Sequence, residues 1–186
     1  MNQSYSQEYE NDEKPDSLKK ELTYPSRFDN ISVLDCWRND VLKYYGKGYY
    51  TEEGGHLGTT YYTNSTRSVV LCIIWGVDWH VDEISFSYGD VEDLPKEIKS
   101  IKQFPDSAIS QRLKFNSALE GWIRLGIQSE DIYKKYGKPK TDTVDGGYRY
   151  LTYETDYETT KDVLSYEATF KFKDNHLIRF EIYNGE

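Results

Sequence analysis

The feature that most limits what this chain can fold into is that it matches itself. Asp40-Val41-Leu42-Lys43-Tyr44-Tyr45-Gly46-Lys47-Gly48 lies over Asp131-Ile132-Tyr133-Lys134-Lys135-Tyr136-Gly137-Lys138-Pro139 at a shift of 91, with five of nine pairs identical. Asp78 to Gly89 lies over Asp174 to Gly185 at a shift of 96, repeating the Asp, His and Gly and the apolar alternation. Two matched blocks in the same order at nearly the same shift mark an internal repeat, which sets the architecture before any single element does. The chain therefore reads as module one, residues 26–90, and module two, residues 120–186, joined by a connector over 91–119. Residues 1–25 precede them as an acidic arm, with Glu8, Glu10, Asp12, Glu13 and Asp16 and hardly an aliphatic side chain. Such a composition buries too little apolar area to offset its ordering entropy, so disorder is expected there.

Each module has the same plan. A short helix carries Val41, Leu42 and Tyr45 in the first copy and Ile132 and Tyr136 in the second, entered through Gln128-Ser129-Glu130-Asp131. Gly46 or Gly137 ends it, and Pro139 forbids its continuation. Strands follow at Thr59–Thr63, Ser68–Trp75 and His80–Tyr88, and again at Tyr148–Tyr153, Ser165–Phe172 and Leu177–Tyr183, the last two joined by a tight turn at Lys173-Asp174-Asn175. The expected class is α+β, two tandem helix-plus-antiparallel-sheet modules. In the connector, Pro95 and Pro105 break any long element, and a short helix is predicted over Ser107–Leu113.

Charge narrows the function. With 23 Lys plus Arg against 32 Asp plus Glu among 186 residues, the net charge of −9 argues against binding nucleic acid or an anionic membrane surface. No apolar run approaches a membrane span. Cys36 and Cys72 lack the spacing of a zinc or redox motif and read equally as one disulfide or two buried thiols. His80 and His176 each follow an Asp by two residues and read as turn-stabilising pairs rather than metal ligands. Gly54, Gly55 and Gly58 do not form a phosphate cradle, and no nucleophile elbow is present, so neither a cofactor nor a catalytic site is expected. An enzyme would have to use the loop around Glu52, Glu53 and His56.

Gly126-Ile127-Gln128-Ser129, Tyr136-Gly137-Lys138-Pro139, Tyr148-Arg149-Tyr150 and the Phe170-Lys171-Phe172 to Leu177 hairpin together resemble the unit of the SmpA/OmlA outer-membrane lipoproteins. They are equally similar to the tandem unit of the beta-lactamase inhibitor protein family. Module one departs from the pattern at Asp35 and Gly48. The inhibitor-like resemblance implies two sheets joined into a concave, aromatic-rich surface that grips another protein.

Eighteen tyrosines against seven phenylalanines give aromatic area with polar tips, suited to half-wet sheet faces and to recognition, although strand propensity accounts for them equally well. The candidate partner-binding residues are Tyr49, Tyr50, Tyr61, Tyr62 and Trp75 in module one and Tyr148, Tyr150 and Tyr153 in module two. Val69, Leu71, Ile73 and Trp75 align with the face that module two fills with Glu167, Thr169 and Lys171, so module one is expected to cover both faces or to leave an apolar patch. The function that follows is a non-enzymatic binding protein, inhibitor or scaffold, whose partner carries a basic patch. The alternative is an intracellular immunity or anti-defence protein that neutralises a toxin or nuclease. An export signal trimmed ahead of Met1 would place the chain in the cell envelope, as a lipoprotein, or outside it; otherwise it is cytoplasmic.

Overall fold

The computed structural model describes residues 24–33, 36–52, 57–89, 94–158 and 163–185. Residues 1–23 of the acidic arm and the Glu53–His56 loop lie outside these residues, whereas Tyr24, at the arm's end, packs against Tyr136 and Tyr153. In chain order the elements are β1 (Arg27–Phe28), β2 (Ile31–Ser32), α1 (Arg38–Tyr45), β3 (Tyr49–Thr51), β4 (Gly58–Thr63), β5 (Val70–Trp75), β6 (Val81–Ser87), α2 (Ser129–Tyr136), β7 (Thr141–Asp145), β8 (Tyr148–Glu158), β9 (Val163–Lys173) and β10 (His176–Gly185). β1 and β2 form a small hairpin, and the other strands form one antiparallel sheet in the order β3-β4-β5-β6-β10-β9-β8-β7.

This corrects the expected α+β class of two tandem helix-plus-antiparallel-sheet modules whose sheets join into a concave surface. Among the described residues the molecule is mostly β, with an eight-stranded sheet and two α-helices of eight residues each. The physical reason lies at the seam. β6 and β10 pair over five residues, with Phe86 opposite Phe180, Ser85 opposite Glu181 and Ile84 opposite Ile182, so no strand edge remains between the halves. Ser85 and Glu181 are 96 apart, as are Phe86 and Ile182, so the pairing is symmetric about its own centre. Phe28 wedges against Phe86 and Phe180, with ring centroids 4.8 and 5.5 Å away. Around it, the Asp29 amide donates to the Ala118 carbonyl and the Glu120 amide to that of Arg27, which ties the start of one half to the start of the other.

At the start of both helices an aspartate three residues on accepts the N-cap amide, Asp40 for Trp37 and Asp131 for Gln128. Both end on a glycine with positive φ, Gly46 at 94° and Gly137 at 76°, whose amide closes the last turn. Gly48, which stands where the second copy has Pro139, has its own cause: a Cβ there would come within 2.4 Å of Thr60 Cγ2.

The main core lies on the helix side of the sheet. One row crosses six strands as Tyr62, Leu71, Phe86, Phe180, Phe170 and Leu151, and all of these are buried. The register also corrects the alignment of β5. Leu71 and Ile73 share this face with Phe170 and Ala168, not with Glu167, Thr169 and Lys171. That one-residue slip exchanges the two faces. A second, smaller core lies on the opposite face over β4 and β5, where Phe104 and Ala108 from the connector cover Val70, with Tyr49, Tyr61, Leu94, Ile98 and Ile101 around them. The helix expected over Ser107–Leu113 is only a short 3-10 turn at Asp106–Ala108. Ile109 bridges to Thr63 and the Ser110 amide donates to the Thr63 carbonyl, which holds the chain extended beside the sheet.

Candidate functional site: the open half of the second sheet face

The eight predicted partner-binding side chains do not form one surface. Trp75 and Tyr62 are fully buried and Tyr153 is 1% exposed, so these three are core residues and are withdrawn as contacts. Their polar tips are used internally. The Tyr62 hydroxyl donates to the Gly46 carbonyl and that of Tyr153 to the Gly137 carbonyl, each at 3.0 Å, capping the ends of α1 and α2. Trp75 Nε1 donates to Thr60 Oγ1 at 2.8 Å. Burial raises the hydroxyl of Tyr153 to about 12. Tyr49 and Tyr61 each lie 5.8 Å from the Phe104 ring beneath the connector, and Tyr50 packs against Trp79 on the other face.

Tyr148 and Tyr150 remain. They stand on β8, half-buried, with the Lys171 ammonium 4.4 Å from the Tyr148 ring centroid and 5.7 Å from that of Tyr150. Lys173 reaches the Tyr148 ring at 5.8 Å. These residues belong to the second face of the sheet over β6, β10, β9 and β8. That face carries polar side chains, and the apolar cluster under the connector does not extend onto it.

The pairing register shows what the rest of this half-face holds. Glu83 on β6 stands opposite Tyr183 on β10, Tyr183 opposite Glu167 on β9, and Glu167 opposite Glu154 on β8. Glu181 lies in the next row, between Ser85 and Thr169. Two carboxylates directly opposite each other on adjacent strands oppose folding. The sheet answers part of that charge. Arg179 Nη2 donates to Glu181 Oε2 at 2.6 Å, Thr169 Oγ1 donates to Glu167 Oε1 at 3.1 Å, and Lys140 bonds Glu154. Glu83 is pushed up to about 7 by burial and then by the Glu181 charge, with Arg179 opposing and Asp82 and Glu167 adding to the rise. A cationic, tyrosine-bearing corner thus adjoins a carboxylate row on one face.

Sequence reasoning placed Glu167 and Lys171 on this face but missed Glu83, Glu154, Glu181 and Arg179 as their neighbours. The signal was the alternation of β10, which pairs with the sequence-distant β6 and so becomes readable only once the seam is known. Among the described residues, no three His, Cys, Asp or Glu side chains are grouped to hold a metal. Cys36 and Cys72 are both free thiols. His80 Nε2 lies 2.6 Å from Asp82 Oδ1, and His176 Nδ1 2.8 Å from the Asp174 carbonyl. A cavity of about 440 Å³ beside α2, lined by Trp122, Ile127, Asp131, Lys134 and Lys135, contains none of the predicted tyrosines.

No family model and no curated protein matches the chain. Among solved structures it is similar to a DUF4309 family protein (YjgB) from Bacillus subtilis subsp. subtilis str. 168. That likeness has a TM-score of 0.44 and 14% identity, covering 85% of this chain and 84% of that one. Among the described residues, no helix is long and apolar enough to cross a membrane.

Proposed function

We propose that the protein is a non-enzymatic binding module, an inhibitor or scaffold, that engages a basic patch on another protein through this half-face. The observation that carries the reading is the row Glu83, Tyr183, Glu167 and Glu154. It places carboxylates side by side on a rigid sheet, at a cost to folding that a cationic partner would relieve on docking. Tyr148 and Tyr150 beside it offer amphipathic area that orders at little entropic cost. The net charge of −9 adds long-range steering of the same sign.

The test is affinity capture with the full chain, followed by calorimetry on any purified interactor, comparing wild type with the Glu83→Gln, Glu154→Gln, Glu167→Gln triple variant. An interactor held by wild type at low salt, released as salt is raised and lost in the triple variant supports the reading. Equal capture by the variant, or binding insensitive to salt, refutes it.

A further inference from the structure

The two helix starts occupy matching places but are built from different chemistry. Each lies against the turn leading into a sheet strand, through the bridges Trp37 to His80 and Gln128 to His176. At α2 the junction is a closed polar net. Ser129 Oγ donates to Asn175 Oδ1 at 2.6 Å, the Asn175 amide donates to Glu130 at 2.8 Å, and Arg149 Nη1 donates to Ser129 Oγ at 2.9 Å. At α1 the residues that stand where Ser129, Glu130 and Asn175 stand are Arg38, Asn39 and Trp79. The Arg38 guanidinium carbon lies 4.5 Å from the Trp79 ring centroid and 5.7 Å from that of Tyr50. Among the described residues the Arg38 side chain makes no hydrogen bond or ion pair, and its Nε is buried without a partner.

An arginine stacked on aromatic faces keeps its in-plane donors available, and a buried donor left unmade is costly. At α2 the corresponding polar groups satisfy one another; at α1, among the described residues, the Arg38 Nε is left without a partner. Beside Arg38 lies a cleft of about 200 Å³ lined by Trp37, Arg38, Asn39, Asp78 and Trp79. Trp37 is 53% exposed. Asp78 and Trp79 both have φ of 65°, a left-handed conformation that a bulky side chain such as tryptophan seldom adopts. Asn175, which occupies the corresponding place at 63°, is a residue type that accepts it readily. The tryptophan therefore sits against local backbone preference, at the wall of a cleft.

We propose that this cleft binds a small aromatic monocarboxylate. The carboxylate takes the free guanidinium donors of Arg38 in the planar geometry that suits them, and the flat apolar stem lies along Trp37. Asn39 lends an amide at the rim. Asp78 places one negative charge there, which admits a monoanion beside Arg38 and disfavours a dianion such as a phosphate ester. The site belongs to the helix side of the sheet and is separate from the carboxylate row on the opposite face.

The experiment uses the full chain with benzoate as probe, and benzamide and phenyl phosphate as controls, followed by tryptophan fluorescence and by the Nε–H resonance of Arg38 in nitrogen-15 spectra. Benzoate is expected to give a saturable change in both signals, with affinity about tenfold weaker in Arg38→Gln and about tenfold weaker for either control. Trp79→Asn, which installs the residue the backbone favours, is expected to fold and to lose the response, so loss of binding is separable from loss of structure. No saturable response to benzoate, an equal response to benzamide, or unchanged binding in Arg38→Gln overturns the proposal. So does an Arg38 Nε–H resonance already shifted to a carboxylate-bonded position in the ligand-free protein, because the chain would then fill the site itself.

Discussion

Glu83→Gln isolates the energetic consequence of the carboxylate row. The Glu83 carboxyl titrates at about 7 in the folded protein against an ordinary 4.5, because it is buried and faces Glu181, Asp82 and Glu167, with Arg179 compensating only in part. Below pH 4.5 the group is protonated in both folded and unfolded chains and does not bias the equilibrium. As pH rises from 4.5 to 7 the unfolded chain releases the proton first, and stability falls; above 7 the folded state carries the full penalty of holding the anion. At about 1.4 kcal/mol per pH unit, a separation of roughly 2.5 units sets a ceiling of about 3.5 kcal/mol, which residual solvent contact lowers to about 1–3 kcal/mol. The neutral amide removes that penalty with little change of shape. Urea unfolding followed by tryptophan fluorescence at pH 4, 6 and 8 should therefore show the variant matching wild type at pH 4 and exceeding it by about 1–3 kcal/mol at pH 8, with an unchanged denaturant slope. A difference that is the same at all three pH values, or a variant less stable than wild type at pH 8, would refute the electrostatic reasoning.

Tyr62→Phe and Tyr153→Phe should each cost about 0.5–1 kcal/mol in the same unfolding assay, because each hydroxyl supplies a hydrogen bond to the carbonyl closing a helix. Tyr166→Phe should instead stabilise by about 1 kcal/mol, since its fully buried hydroxyl has no hydrogen-bond partner among the described residues; a loss of stability would show that the hydroxyl is in use. The Asp142 carboxyl is held down to about 2, chiefly by the Arg149 guanidinium that bonds it through two nitrogens at 2.9 Å and next by the Tyr133 hydroxyl. Carbon-13 titration of Arg149→Gln should find it back towards 3.8.

What the sequence determined by itself is what short-range chemistry writes into it. The Asp-to-Gly match of 40–48 with 131–139 located both helices, because an aspartate near the start and a glycine after the last turn act within one or two turns of chain. Alternation located β6, β9 and β10, since one buried face forces a period of two, whereas β5 stood out as an unbroken apolar run, buried on both faces. β7 was not legible, because Thr141–Asp145 is exposed at every position and so has no buried face to give it a period. β3 has three residues, too short to show a period. Which tyrosines stay at the surface was decided by tertiary structure alone. Tyr61 and Tyr62 are neighbours in sequence, yet one meets the connector and the other caps α1, because adjacent strand residues point to opposite faces and only packing says what covers each. The fusion of the halves through β6 and β10 was likewise invisible locally: a strand edge accepts any partner in register, and the partner here came from almost a hundred residues away, with Phe28 holding the seam.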